Sequence, residues 1–129
     1  MPELLGVDNV IFAVRDLDAA IGFYEACGFV VKFRVDRAGM ALFAIGGEDP
    51  GLLVRAEGGG GPGSTGTAGA GRFWVEVRDA DAAEAELKAA GIATTRLETM
   101  TGITVEATDP SGNVVGFADY SKRPELARR

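Results

Sequence analysis

The sequence predicts an α+β fold built from two βαβββ modules in tandem, and three observations support this fold class. The stretch VRDLDAA at 14–20 returns as VRDADAA at 77–83, 63 positions later. A glycine follows each copy at the same offset, Gly28 in the first and Gly91 in the second. One strand-like segment precedes each copy and three follow it. A repeat of this length indicates one structural unit present twice.

The first module is predicted over about residues 5–57. It begins with NVIFAV at 9–14, a β-branched and aromatic run typical of a strand. Asp16 stands where a helix N-cap belongs. Apolar residues then recur on one helical face, at Leu17, Ala20, Ile21 and Tyr24. Three further strands are predicted at 29–35, 40–45 and 51–56, and the turn sequences DRAG and GGEDPG separate them.

The second module is predicted over about residues 71–120 and repeats the same order. RFWVEV at 72–77 is its first strand, and Asp79 is the expected N-cap of its helix. The apolar face of that helix is expected at Ala80, Ala83, Leu87 and Ala90. Three strands follow, within IATTRLE at 92–98, GITVEAT at 102–108 and NVVGFADY at 113–120.

Two segments fall outside the modules. GGGGPGSTGTAGAG begins at Gly58, and residues 58–70 are predicted to be a flexible linker. A phosphate-binding loop is excluded because the loop lysine is missing and a strand, rather than a helix, follows. The tail at 121–129 carries four basic residues and is expected to be a solvated terminus.

Composition narrows the functional class. The 129 residues, 47% of them hydrophobic, are enough for one compact domain. A net charge of −6 argues against binding nucleic acid or an anionic membrane surface. The single cysteine, Cys27, allows no internal disulfide, so a reducing, cytoplasmic location is expected, and no apolar run is long enough to span a membrane. The absence of histidine removes the commonest general base and metal ligand.

The duplication, with VRDLDAAIGFYEACGF in the first copy and TDPSGN before the last strand, resembles the vicinal oxygen chelate superfamily. This group contains the glyoxalases, bleomycin-resistance proteins and extradiol dioxygenases. The resemblance covers about residues 5–120. It implies a single domain in which the curved sheets of the two modules surround a cleft, and it implies a homodimer.

The resemblance also implies where a divalent metal would be bound, through one side chain from the first and last strand of each module. Those positions correspond here to Asn9, one residue within 53–55, Arg72 and Gly116. An amide, a guanidinium and a glycine do not supply the anionic oxygens or imidazoles that such metals need. No metal and no cofactor are therefore expected.

Strand alternation extends these four positions to a predicted cleft lining. The candidate ligand-binding residues are Asn9, Ile11, Arg55, Arg72, Trp74, Glu76, Gly116 and Tyr120. Trp74 is either a stacking platform for a planar ligand or ordinary core. Arg72 either binds an anionic group or pairs with Glu76. Gly116 either leaves room for a guest or allows close backbone approach.

No catalytic residue can be assigned. Glu76 and Glu106 are the candidate bases, and the alternation in GITVEAT leaves the orientation of Glu106 open. The leading hypothesis is metal-free binding of a small aromatic or hydrophobic molecule, as in drug sequestration by bleomycin-resistance proteins. The alternatives are a metal-independent isomerase or lyase that uses a cleft glutamate, and a non-catalytic interaction module whose cleft is filled by its own side chains.

Overall fold

The computed structural model describes residues 1–57 and 66–128 and contains the two predicted modules. The elements of the first module are β1 (Asn9–Val14), α1 (Leu17–Ala26), β2 (Val30–Val35), β3 (Met40–Ile45) and β4 (Glu48–Ala56). Its four strands form one sheet in the order β1-β4-β3-β2, with β1 parallel to β4 and the other pairs antiparallel. The strand predicted at 51–56 begins three residues earlier, at Glu48.

The elements of the second module are β5 (Arg72–Glu76), α2 (Ala80–Ala89), β6 (Thr95–Glu98), β7 (Ile103–Thr108) and β8 (Val114–Ala118). The sheet order is β5-β8-β7-β6, and β5 is parallel to β8. The topology therefore repeats that of the first module, which confirms the α+β fold class. Within residues 1–57 and 66–128, no helix is long and apolar enough to cross a membrane.

The repeated VRD sequence forms the turn from the first strand to the helix in each module. The carboxylate of Asp16 accepts a hydrogen bond from the Ala19 N–H, and that of Asp79 accepts one from the Ala82 N–H, each at 3.0 Å. Both predicted N-caps are therefore confirmed. Gly28 follows the first helix with a φ of 97°, a left-handed conformation that favours glycine, and Gly91 follows the second with a φ of 81°.

The two modules share one hydrophobic core. Helix α1 packs against β2, β3 and β4, and α2 packs against β7 and β8. Phe12 of β1 meets Phe73 of β5 edge to face, with ring centroids 5.2 Å apart, so the core continues from one module into the other. Each sheet therefore has one face turned to this core, and its other face is called the open face below.

The turn between β7 and β8 joins the modules through buried polar side chains. We call Asp109, Ser111 and Asn113 of this turn the inter-module clamp. The Tyr24 hydroxyl donates to Asp109 Oδ2 at 2.7 Å, and burial together with this bond raises the pKa of Tyr24 above its ordinary value. The Arg15 N–H donates to Ser111 Oγ at 2.8 Å. The tyrosine of the first copy and the TDPSGN turn of the second are therefore parts of one contact.

Asn113 is the centre of the inter-module clamp and is fully buried. Its Nδ2 donates to the Ala13 carbonyl at 2.8 Å and to Asp109 Oδ2 at 3.0 Å. Its Oδ1 accepts from the Gly71 N–H at 2.9 Å. One amide thus satisfies backbone groups at the end of β1 and at the start of β5, which fixes how the two modules are placed.

Part of the predicted linker is packed against the modules. Residues 58–65 lie outside the described residues. In the described part, the buried Ala68 donates its N–H to Glu57 Oε1 at 3.3 Å. A Cβ at Gly69 would come within 2.6 Å of the Ser111 carbonyl oxygen, so the backbone there touches the inter-module clamp. Within the described part of the predicted linker, Ala68 and Gly69 thus contact the modules.

Asp119, just after β8, is a buried residue that stabilises the second module. Its carboxylate accepts from the N–H groups of Ala80 at 2.8 Å and Ile103 at 2.9 Å. Burial alone would raise the pKa of Asp119, but these bonds and those from Ser121 outweigh burial and lower the pKa to about 2. The carboxylate is therefore held in its charged form by the start of α2 and the start of β7.

This pKa predicts how stability depends on pH. The native pKa of Asp119, about 2, lies below its unfolded value of 3.8, so its contribution is present above about pH 4 and is lost as the pH falls towards 2. We expect Asp119→Asn to lose roughly 2 kcal/mol of unfolding free energy at pH 7 and to show a smaller further loss in acid than the parent. Urea denaturation at pH 7 and pH 3 measures both quantities. Asp8→Asn, at an exposed position, is the control, and an equal acid dependence in the parent and Asp119→Asn would contradict the assignment.

Candidate functional site

Alternate side chains of β5 point to opposite sides of the second sheet. Phe73 and Val75 pack against the shared core, whereas Trp74 is 44% exposed. Arg72 and Glu76 share the face of Trp74 by alternation. This is the side-chain direction that the sequence predicted for β5.

Trp74 lies over Gly116 of the neighbouring strand. The two residues are paired across β5 and β8, and a Cβ at Gly116 would stand only 2.2 Å from Trp74 Cδ1. Gly116 therefore allows the indole to lie close to the sheet. The room that the glycine leaves is taken by Trp74 rather than being open to a guest, while the outer side of the indole remains exposed to solvent.

Glu106 fixes the indole in place. It lies on β7 opposite Gly116, and its Oε2 accepts from Trp74 Nε1 at 2.7 Å. The same oxygen accepts from Arg72 Nε at 2.8 Å, and the Arg72 guanidinium lies 5.7 Å from the Trp74 ring centroid. The structure thus settles what periodicity left open, because Glu106 faces the open side. We call Arg72, Trp74, Glu106 and Gly116 the aromatic platform.

Glu76 has a different partner from the one considered in the sequence. Arg72 pairs with Glu106, and the Glu76 carboxylate accepts from Arg128 Nη1 at 2.7 Å and from the Arg128 N–H at 2.8 Å. Burial tends to raise the pKa of Glu76, but the bonds from Arg128 outweigh burial, and the pKa lies below its ordinary value. The tail expected to be solvated therefore returns to β5, where Arg128 contacts the end of the strand.

A groove of about 420 Å³ runs beside Trp74 and Glu76. The described residues that line it are Val7, Val10, Ile45, Gly46, Gly47, Phe73, Trp74, Val75, Glu76 and Arg128. The wall is thus mostly apolar, with two aromatic residues, Phe73 and Trp74, and one carboxylate held by the tail. This combination is typical of a small-molecule pocket. A second crevice, of about 300 Å³, lies on the helix side of the same strand, between the end of α1 and α2.

The remaining sequence candidates of the first module lie on the first sheet. Asn9 Oδ1 accepts from the Gly51 N–H at 3.1 Å, Ile11 is 55% exposed, and Arg55 is buried. Ile11 pairs with Leu53 as Trp74 pairs with Gly116, so the register makes Leu53 the counterpart of Gly116. Arg55 lies two residues further along β4. Of the described residues, Val10 rather than Asn9 or Ile11 lines the groove beside Trp74.

Tyr120 lies two residues beyond the end of β8 and is half-buried. Its carbonyl accepts from the Arg123 N–H at 3.0 Å, which starts the tail. Among the described residues, Tyr120 does not line the groove beside Trp74. Its structural role is to lead the chain from the last strand into the tail.

The residues at the family's metal positions do not fit a metal. The amide oxygen of Asn9 already accepts a backbone hydrogen bond, Arg72 carries a positive charge, and Gly116 and Leu53 offer no donor atom. Within residues 1–57 and 66–128, no group of three or more His, Cys, Asp or Glu side chains could hold an ion. The set lacks the anionic oxygens and imidazoles that a divalent cation requires.

Two residues of the site could not be placed from the sequence. The position of Glu106 depends on which strand lies next to β8, and the position of Arg128 depends on a contact between residues 52 apart in the chain. The only signal for Arg128 was the positive charge of the tail, which is equally common in solvated termini. The signal for Glu106 was a carboxylate within the predicted strand GITVEAT, whose alternation left the orientation of the side chain open.

Comparison with known proteins assigns the family. A family model described as the Glyoxalase/Bleomycin resistance protein/Dioxygenase superfamily matches residues 6–117. The chain belongs to this superfamily, as the sequence motifs predicted. A search of curated protein sequences finds no match.

Solved structures with the same fold include proteins of different function. A lactoylglutathione lyase from Agrobacterium tumefaciens has a TM-score of 0.76 at 21% identity, with 92% of this chain and 96% of the other covered. TnmS3, an antibiotic-binding protein from Streptomyces sp. CB03234, has a TM-score of 0.73 at 25% identity, with 92% and 100% covered. A putative glyoxalase family protein from Bacillus anthracis has a TM-score of 0.73 at 19% identity, with 94% and 99% covered. The fold alone therefore does not select between catalysis and binding.

Proposed function

We propose that this protein binds a planar aromatic or hydrophobic small molecule against Trp74, without a metal and without transforming it, as in drug sequestration. The observation that carries the proposal is the aromatic platform, in which Trp74 is 44% exposed and its indole is held by one hydrogen bond to Glu106 and by close contact with Gly116. The single cysteine favours a reducing compartment, so we place this role in the cytoplasm.

The aromatic platform is organised before any ligand arrives. Glu106 holds the indole N–H, Arg72 holds Glu106, and the backbone at Gly116 supports the ring from below. A side chain whose rotamer is fixed in advance loses little conformational entropy when a ligand stacks on it. The exposed indole plane and the apolar wall formed by Val7, Val10 and Ile45 together favour a flat apolar guest.

The likeness to an antibiotic-binding protein supports binding as the function. TnmS3, an antibiotic-binding protein, is 25% identical to this chain over almost the whole of both chains. The lactoylglutathione lyase is an enzyme, but the metal positions implied by the family carry residues here that do not fit a metal. Binding needs only a shaped aromatic groove, which this chain has.

The chemistry of the candidate bases also favours binding over catalysis. Glu106 already accepts hydrogen bonds from Arg72 and Trp74, and the lowered pKa of Glu76 makes it a weaker base. Burial raises the pKa of Cys27 to about 12, so its thiol is protonated at neutral pH and is a poor nucleophile. The alternative, a metal-independent isomerase or lyase, would have to use one of these two glutamates.

Fluorescence titration of the only tryptophan tests the proposal. We expect a planar aromatic compound that binds to quench Trp74 emission and to raise the melting temperature. Both effects should be the same in the presence of EDTA, because no metal takes part in binding. Mass spectrometry of the recovered compound separates binding from turnover. The proposal fails if a panel of planar aromatic compounds changes neither the emission nor the melting temperature, and turnover would favour the enzyme alternative.

We further propose that a second copy of the chain completes the site. On the open face of the first sheet, an apolar row crosses all four strands through paired positions, at Ile11, Leu53, Leu42 and Phe33. Ile11 is 55% and Phe33 48% exposed, which is typical of a surface that meets a partner. A homodimer that placed this face opposite the aromatic platform of its partner would unite Asn9 and Ile11 with Arg72 and Trp74.

Light scattering tests this dimer. We expect a mass about twice the 13.4 kDa of the chain at micromolar concentration, because dimerisation would remove the exposed apolar row from water. Phe33→Glu should give the single-chain mass, whereas Arg37→Glu, at an exposed position in the turn between β2 and β3, should leave the dimer intact. A single-chain mass for the unmodified protein would contradict the proposal.

A further inference from the structure

We infer that the ligand carries a cationic group beside its aromatic ring, and that Arg128 of the C-terminal tail occupies the subsite for that group until the ligand displaces it. The inference rests on the proposed function and adds the charge of the ligand and a role for the tail. Glu76 is the residue that would recognise the cation. Arg128 is its internal stand-in.

The first argument is the way in which Arg128 engages Glu76. The Glu76 carboxylate receives the guanidinium at one oxygen, 2.7 Å from Nη1, and the Arg128 backbone N–H at the other, at 2.8 Å. The Glu76 side chain is 15% exposed, whereas that of Arg128 is 68% exposed. The carboxylate therefore belongs to the wall of the groove, and the arginine comes to it from the solvent side.

The second argument is the spacing between Glu76 and Trp74. They are alternate residues of β5, so their side chains leave the same face roughly 7 Å apart. Both line the groove beside Trp74, together with Arg128. A molecule whose aromatic ring stacks on Trp74 would bring a cation attached by one or two bonds to the position of the Arg128 guanidinium.

The third argument is electrostatic. Arg72, the other arginine on this face, is paired with Glu106, so the Glu106 carboxylate is already neutralised within the aromatic platform. Among the described residues, the positive partner of Glu76 is Arg128 of the returning tail, 52 positions along the chain. The chain as a whole carries a net charge of −6, which favours the approach of cations over anions.

The end of the tail is held more loosely than its start. It forms one short helical turn, Pro124–Leu126, in which Leu126 is 52% exposed rather than packed. Its base is tied separately, by Lys122 Nζ to the Thr99 carbonyl at 2.9 Å, so the end could move without releasing the start. Ion pairs with an exposed partner add little to stability, so a ligand with a cation of its own can compete with Arg128 for the Glu76 carboxylate.

Calorimetric titration with three matched compounds tests the inference. The probes are biphenyl-4-ylmethylammonium, the neutral biphenyl-4-ylmethanol and the anionic biphenyl-4-carboxylate, which share one aromatic body. The unmodified protein should bind the ammonium most tightly. Glu76→Gln should weaken the ammonium about tenfold, as expected for loss of one charge-assisted contact, and leave the alcohol within about twofold.

Variants of the tail test the role of Arg128. Deletion of residues 127–129, and separately Arg128→Ala, should tighten binding of the ammonium by roughly threefold to tenfold, since a competitor for Glu76 is removed, and should tighten it more than binding of the alcohol. Arg123→Ala is the matched control, because Arg123 pairs with Glu125 within the tail and should have no effect. If one of the two tail variants folds poorly, the other still measures the effect of removing the Arg128 side chain.

Each outcome separates the inference from the proposed function. Equal affinity for the ammonium and the alcohol, or no change with either tail variant, would overturn the inference while aromatic binding stood. Failure of all three biphenyls to bind would defeat both. Tighter ammonium binding in Arg128→Ala together with its loss in Glu76→Gln is the result that supports the inference.

Discussion

Asn113→Ala should lower the free energy of unfolding by roughly 3 kcal/mol, the largest stability effect we expect from one polar side chain in this protein. The fully buried amide bonds with the Ala13 carbonyl, the Gly71 N–H and Asp109. Alanine would leave a carbonyl and an N–H buried without these partners, and each orphaned group costs about 1–3 kcal/mol. Because the amide links both modules, the loss should appear in the unfolding of the whole domain.

Urea denaturation followed by circular dichroism and by Trp74 emission measures this loss. The control is Asn9→Ala, which removes a partly buried amide whose Oδ1 accepts one backbone hydrogen bond, from the Gly51 N–H at 3.1 Å. It should cost only about 1 kcal/mol. An Asn113→Ala loss no greater than that of Asn9→Ala would show that the inter-module clamp is not what holds the modules together.

Gly116→Ala should abolish most of the binding of planar aromatic compounds while the fold is retained. The added Cβ would lie 2.2 Å from Trp74 Cδ1, so the indole must leave its place and give up its bond to Glu106. We expect affinity to fall by about 1–3 kcal/mol, the same loss as in Trp74→Ala, because central aromatic anchors dominate binding energy. Fluorescence or calorimetric titration of both variants measures it.

Gly22→Ala is the matched control for this change. Gly22 lies on α1 with open space where a Cβ would be added, so the same chemical substitution should leave binding unaltered. Phe73→Ala is a second comparison, because its ring faces the shared core and its loss should reduce stability rather than affinity. Wild-type affinity in Gly116→Ala would show that the ligand does not depend on the position of Trp74.

The fold could be predicted almost entirely from the repeat, because both copies use the same local chemistry. Asp16 and Asp79 cap helices, and Gly28 and Gly91 end them, so the sequence contains the signals at matching places. The start of β4 could not be predicted, since it depends on pairing with β3 across an irregular register near Ile45.

The candidate site could be predicted only where strand alternation was unambiguous. In β5, Arg72 corresponds to a position that faces the cleft in the resembled family, and strand alternation then gave the direction of Trp74. In β7, both Thr104 on the open face and Val105 on the core face are buried, so the polarity of a residue does not indicate which face it occupies. The direction of Glu106 is therefore known only from its pairing with Gly116 in the folded sheet. The contact of Arg128 with Glu76 is long-range and depends on the folded tail.

The indole N–H resonance of Trp74 gives the most direct test that its exposed face is the ligand platform. The chain has one tryptophan, so the nitrogen–proton correlation spectrum has one such signal, and titration with biphenyl-4-ylmethanol follows it alone. We predict that the signal moves on binding, through the ring current of the stacked compound, and that it no longer responds in Gly116→Ala. A compound that binds by calorimetry while this signal stays fixed, with shifts confined to the helix-side crevice near Cys27 and Leu87, would contradict the account.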